Sequence, residues 1–117
     1  MGRYSITKDF HLSYSHQLTG LPSTHPCTRL HGHNGIVRIL LGSDRLINGF
    51  VLDYGDLAPL SSYINATLDH RHLNEVFPNP TAEVIAQHLY MWSLRQCWPV
   101  EALGFSETPK TWAWFRA

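Results

Sequence analysis

The chain has 117 residues, 44% hydrophobic and 15% charged, and its nine basic and nine acidic side chains cancel to a formal net charge of zero. That length suits one hydrophobic core and one domain, residues 1–117, and the balanced charge leaves no electrostatic footprint for nucleic acid or an anionic membrane. No apolar run reaches the length of a signal peptide core or a membrane span, so a cytoplasmic protein is expected, with Cys27 and Cys97 as thiols rather than a disulfide. The low charge density points to subunits covering part of the surface, a homo-oligomer.

In chain order, Tyr4, Ile6, Phe10, Leu12, Tyr14 and His16 share one parity, so residues 3–16 read as a strand ending at His16. Gly20, Pro22 and Pro26 make residues 17–30 a loop that holds Cys27. Residues 31–41 and 49–54 read as two further strands around a hairpin-like connection, Gly42 to Asn48. Leu57, Leu60, Ile64 and Leu68 fall on one helical face, with Asp56 as candidate N-cap and Pro59 in the first turn. A second helix runs from the candidate N-cap Thr81 through Val84, Ile85, Leu89 and Trp92, ends before Pro99, and contains Cys97 as a partly buried thiol. The tail from Val100 to Phe115 reads as a strand pair around a turn containing Pro109. The expected order is β-β-β-α-α-β-β: an α+β domain with an antiparallel sheet and both helices on one face.

The chemistry concentrates in residues 16–33. Side chains two apart on a strand share a face, so His31 and His33 project together, and His16 from the end of another strand would complete the three-histidine shell of a catalytic zinc site with an open fourth position. Gly32 between the pair permits close backbone approach or a bulge. Cys27, four residues before His31, is placed to be a further ligand, a base whose thiolate is favoured by a nearby cation, or an inert thiol. Asp69 beside His70 suits acid–base work, and it equally suits ordinary turn and helix-end chemistry, a reading that His72 and Asn74 share. Glu107, in an otherwise apolar terminal strand, is either an exposed strand-end carboxylate or a grip for two parallel N–H groups such as the 2-amino and ring N–H edge of a pterin or guanine. Glu83 is explained by the helix dipole.

Taken together, the segments Phe10 to His16, Cys27-Thr-Arg-Leu-His-Gly-His33, Gly49 to Leu57, Leu68-Asp-His-Arg-His-Leu-Asn74, Asn79-Pro-Thr-Ala-Glu83 and Ser106-Glu-Thr-Pro109 resemble the 6-pyruvoyl-tetrahydropterin synthase family across nearly the whole chain. They are most similar to its bacterial 6-carboxy-tetrahydropterin synthase branch, which serves queuosine and other deazaguanine pathways. The resemblance implies Zn2+ bound by His16, His31 and His33, Cys27 as catalytic base, Asp69 and His70 as a proton relay, and Glu107 as the pterin anchor. It implies 7,8-dihydroneopterin triphosphate as substrate, with triphosphate loss and release of acetaldehyde. It also implies the T-fold, a sheet with two helices on one face that assembles into a barrel, usually a hexamer of two trimers.

Three positions depart from the family pattern: Ser15 where alanine is common, Gly35 where an aromatic often follows the His-Gly-His-Asn run, and Phe50 where methionine is usual. Gly35 is expected to loosen the strand near the metal or widen the pocket. A pyruvoyl synthase and a non-catalytic zinc- or purine-binding module of the same fold are the competing readings. A folate-feeding relative that cleaves the side chain typically lacks the cysteine present here at position 27.

Overall fold

A computed structural model describes residues 2–117. Its elements are β1 (Tyr4–His16), β2 (His31–Ser43), α1 (Ala58–Thr67), β3 (Arg71–His72), α2 (Ala82–Leu94), β4 (Val100–Ser106) and β5 (Ala113–Arg116). They form a five-stranded sheet in the order β3-β1-β2-β4-β5. All neighbours are antiparallel except β3, which runs parallel to β1.

The alternation in β1 becomes a division between two faces. Phe10, Leu12, Tyr14 and His16 are buried, and they pair across the ladder with Val37, Gly35, His33 and His31 of β2. The same face carries Ile39 and Leu41 of β2 and Leu103 and Phe105 of β4, and both helices pack on it through Leu60, Ile64, Ile85, Ala86 and Leu89 in one continuous core. On the opposite face Asp9 and Arg38, direct ladder partners, form a bidentate ion pair at 2.7 and 2.8 Å, and the Arg38 guanidinium lies over the Trp112 ring.

Three expectations are corrected. Residues 49–54 are not a strand: Asn48 and Gly49, both with positive φ, make a two-residue turn closed by reciprocal hydrogen bonds between Ile47 and Phe50, but pairing stops at that bridge and the chain bends away at residues 51–52. The chain then enters a 3-10 turn, Tyr54–Leu57, so Asp56 lies inside a turn rather than capping α1. Asp53 caps this turn instead, through its carboxylate and the Gly55 N–H. Leu57 occupies the α1 N-cap with no side-chain bond, and Pro59 falls in the first turn. Finally, α2 ends at Leu94, so Cys97 lies beyond it, exposed, with φ at 64°. The cap at Thr81 is as expected, its side chain accepting from the Val84 N–H.

Candidate metal centre and active site

The three histidines meet because of the β1–β2 register, which sets His16 directly opposite His31 and Tyr14 opposite His33. Their ligating nitrogens all lie within 4.8 Å of one another. His16 is wholly buried, and its Nδ1 lies 2.8 Å from the Pro80 carbonyl in the approach to α2. His31 Nδ1 lies 2.7 Å from the Arg29 carbonyl. A carbonyl only accepts, so each Nδ1 carries the ring proton and each neutral ring presents a lone pair at Nε2.

Those two Nε2 atoms are 2.9 Å apart. Lone pairs facing each other at that distance repel unless a cation lies between them, so the donor set fits a metal ion bound by neutral imidazoles. Burial strengthens the fit. It holds the pKa of His16 and of His33 below the ordinary histidine value, His33 against the opposing pull of Glu107, so both favour the neutral, ligating form.

Glu107 follows the last residue of β4 and turns back onto this cluster. Its Oε2 lies 3.3 Å from His16 Nε2, 3.2 Å from His33 Nε2 and 3.4 Å from the Tyr14 hydroxyl. Cys27, half-buried in a 3-10 turn (Pro26–Thr28), lines one cavity of about 330 Å³ together with His31, His33, Glu107, Thr108 and Thr111. The turn is pinned locally: the Cys27 N–H donates to His25 Nδ1, and the Cys27 carbonyl accepts from the Leu18 N–H. The start of this loop is clamped by Asn74, which exchanges two 2.8 Å bonds with the Gln17 backbone, and by Asn79, whose carbonyl oxygen accepts from Thr19.

Asp69 and His70 form a pair at 3.0 Å between Asp69 Oδ2 and His70 Nδ1. The other carboxylate oxygen accepts the Ser13 N–H, the main reason the Asp69 carboxyl lies below its usual pKa. His70 adopts a left-handed backbone, φ 57°, and its N–H donates to the Ser13 carbonyl. The pair is thus fixed to β1, with the His70 side chain 81% exposed. It does not line the cavity that holds Cys27 and Glu107.

The chain also uses groups that periodicity and spacing did not single out. The Pro80 and Arg29 carbonyls set the tautomers of His16 and His31, and Asn74 and Asn79 hold the start of the Cys27 loop. Tyr14 carried one signal, its parity with His16, which places it on the face of the histidine cluster. Gly35 does not widen a pocket. It is buried, and a Cβ there would meet Phe105 Cζ at 2.7 Å and Tyr14 Cε1 at 3.1 Å, so two rings fill the space.

Among the described residues no helix is long and apolar enough to cross a membrane. A 6-carboxy-5,6,7,8-tetrahydropterin synthase of a Synechocystis species is 36% identical over 93 residues, 73% of this chain and 70% of that protein. A protein of the same name from Bacillus subtilis is 30% identical over 96 residues, 74% of this chain and 63% of that protein. The structure of the Caenorhabditis elegans 6-pyruvoyl tetrahydropterin synthase superposes with a TM-score of 0.84 at 21% identity, covering 100% of this chain and 97% of that one. The family model of 6-pyruvoyl tetrahydropterin synthase matches residues 5–117, and the chain belongs to that family.

Proposed function

We propose that this protein is a zinc-dependent lyase that converts 7,8-dihydroneopterin triphosphate and water to 6-carboxy-5,6,7,8-tetrahydropterin, acetaldehyde and triphosphate, in the supply of queuosine or another 7-deazaguanine. The observation that carries this reading is a cluster of three imidazoles, His16, His31 and His33, beside one cavity whose wall His31 and His33 share with the Cys27 thiol and the Glu107 carboxylate. The carboxy rather than pyruvoyl product is favoured by the names of the two curated relatives.

His16, His31 and His33 would hold the zinc ion. When bound, zinc acts as a Lewis acid that acidifies a substrate hydroxyl and stabilises developing negative charge. The remaining work falls to side chains. Glu107 receives the 2-amino and ring N–H edge of the pterin in two parallel charge-assisted hydrogen bonds and sets the substrate's orientation. Cys27, on the same cavity wall, removes a proton from the side chain as a thiolate. His70, held by Asp69, returns a proton.

The 81% exposure of His70 supports sites completed between copies of the chain, in keeping with a homo-oligomer such as a hexamer of two trimers. The protein is expected to act in the cytoplasm on this small molecule alone, with no nucleic acid or membrane partner.

The test is incubation of the zinc-loaded protein with 7,8-dihydroneopterin triphosphate and identification of the products by mass spectrometry. Carboxy-tetrahydropterin with acetaldehyde is the expected result. Pyruvoyl-tetrahydropterin would transfer the same residues to the sister reaction. Bound zinc with no turnover would favour a binding module.

A further inference from the structure

We propose that Tyr14 is a positioning residue, donating its phenolic proton to Glu107 Oε2 and so fixing the carboxylate that receives the pterin edge; this rests on the reading of Glu107 given above. The first support is burial. Tyr14 is 5% exposed, and its hydroxyl has one hydrogen-bond partner among the described residues, the Glu107 carboxylate at 3.4 Å. A buried phenol with no acceptor would be costly, so the carboxylate and the hydroxyl each constrain where the other can lie.

The second support is that the other neighbours of Oε2 are poor donors. His16 Nε2 lies 3.3 Å from it but carries a lone pair, because the ring proton is spent on Pro80. His33 Nε2, at 3.2 Å, cannot donate while it serves a metal. Tyr14 is the donor that remains when the site is loaded.

The third support is the space made for the ring. Tyr14 packs edge-on to His16 with centroids 5.2 Å apart, and tilted on Phe105 at 5.7 Å. Gly35 supplies the missing volume, since any side chain there would strike both Tyr14 and Phe105. The ring therefore has one seat, between a metal ligand and the core, with its hydroxyl directed at the carboxylate.

Tyr14→Phe keeps the ring and removes the donor. The experiment titrates pterin, followed by its fluorescence, into the zinc-loaded wild type, Tyr14→Phe and Glu107→Gln, with zinc content and melting temperature measured for each. Tyr14→Phe is expected to keep its zinc and fold and to bind pterin about tenfold more weakly, the order expected for a hydrogen bond to a charged group at this length. In turnover, its rise in KM should exceed any fall in kcat. A tyrosine that only packs gives the same pterin affinity as wild type. That result would overturn the inference while Glu107→Gln still weakened binding. If Glu107→Gln also bound pterin as tightly as wild type, the reading of Glu107 itself would fall.

Discussion

Replacing Gly35 by alanine puts a methyl group where two rings already meet. Its Cβ would lie 2.7 Å from Phe105 Cζ, 3.2 Å from Phe105 Cε1 and 3.1 Å from Tyr14 Cε1. Carbon atoms rest at about 3.5–4.0 Å, so the closest contact is short by roughly 1 Å. Phe105 is wholly buried and Tyr14 nearly so, which denies either ring an outward escape. Overpacking of this kind costs about 1–3 kcal/mol, and the stiffer unfolded chain of an alanine variant offsets about 0.4–1 kcal/mol. The net loss spans about 0–2.6 kcal/mol, and because neither ring can escape outward the upper half is expected, about 1.3–2.6 kcal/mol or roughly 5–10 °C in Tm for a chain of this size. Urea and thermal melts of the zinc-loaded variant measure it. Phe105→Leu removes the ring atoms that the methyl would strike. Although damaging alone, it should combine with Gly35→Ala at less than the summed cost, with a coupling of at least about 0.5 kcal/mol. A Gly35→Ala protein as stable as wild type, or strict additivity with Phe105→Leu, would refute the packing described for this strand.

Cys27→Ala should abolish turnover by about a hundredfold or more while leaving bound zinc unchanged, as expected for loss of a base; loss of zinc from that variant would make the thiol a ligand instead. Because the histidine cluster forms only when β1 and β2 pair, zinc should bind the folded state and raise stability by about 2.7 kcal/mol at a hundredfold excess over Kd; calorimetry with and without a chelator reads this directly. His88 Nε2 shares a 2.6 Å hydrogen bond with the Tyr63 hydroxyl, and burial, with the Arg95 charge second, lowers the His88 pKa in the folded chain. The unfolded chain then binds that proton more readily, so this contribution is complete above the unfolded value near about 6.5 and is lost as pH falls from there through the lower folded value. His16 and His33 slope the same way, so the comparison is with His88→Gln at equal metal content. Its stability should fall less steeply between pH 7 and pH 5, and equal slopes would exclude His88 as a source.

Local pattern made much of this protein legible before folding. The parity of Phe10, Leu12, Tyr14 and His16 defines the buried face of β1, the spacing of His31 and His33 puts two imidazoles on one side of β2, and Thr81 announces α2, because these signals depend only on the repeat of the chain and on its nearest backbone groups. The apolar run at 49–54 misled because pairing beyond the Asn48-Gly49 turn stops at a single bridge, Ile47 with Phe50, and the chain bends away at residues 51–52 into the 3-10 turn that Asp53 caps. Tertiary pairing decided the rest. The ladder set His16 opposite His31, and the packing of the approach to α2 brought the Pro80 carbonyl to His16 across 64 positions, thereby choosing the His16 tautomer. It also seated Tyr14 in the space left by Gly35 and folded Glu107 back onto the histidines. Such contacts join residues far apart in the chain, and their distances follow from register and packing volume, which no local period encodes.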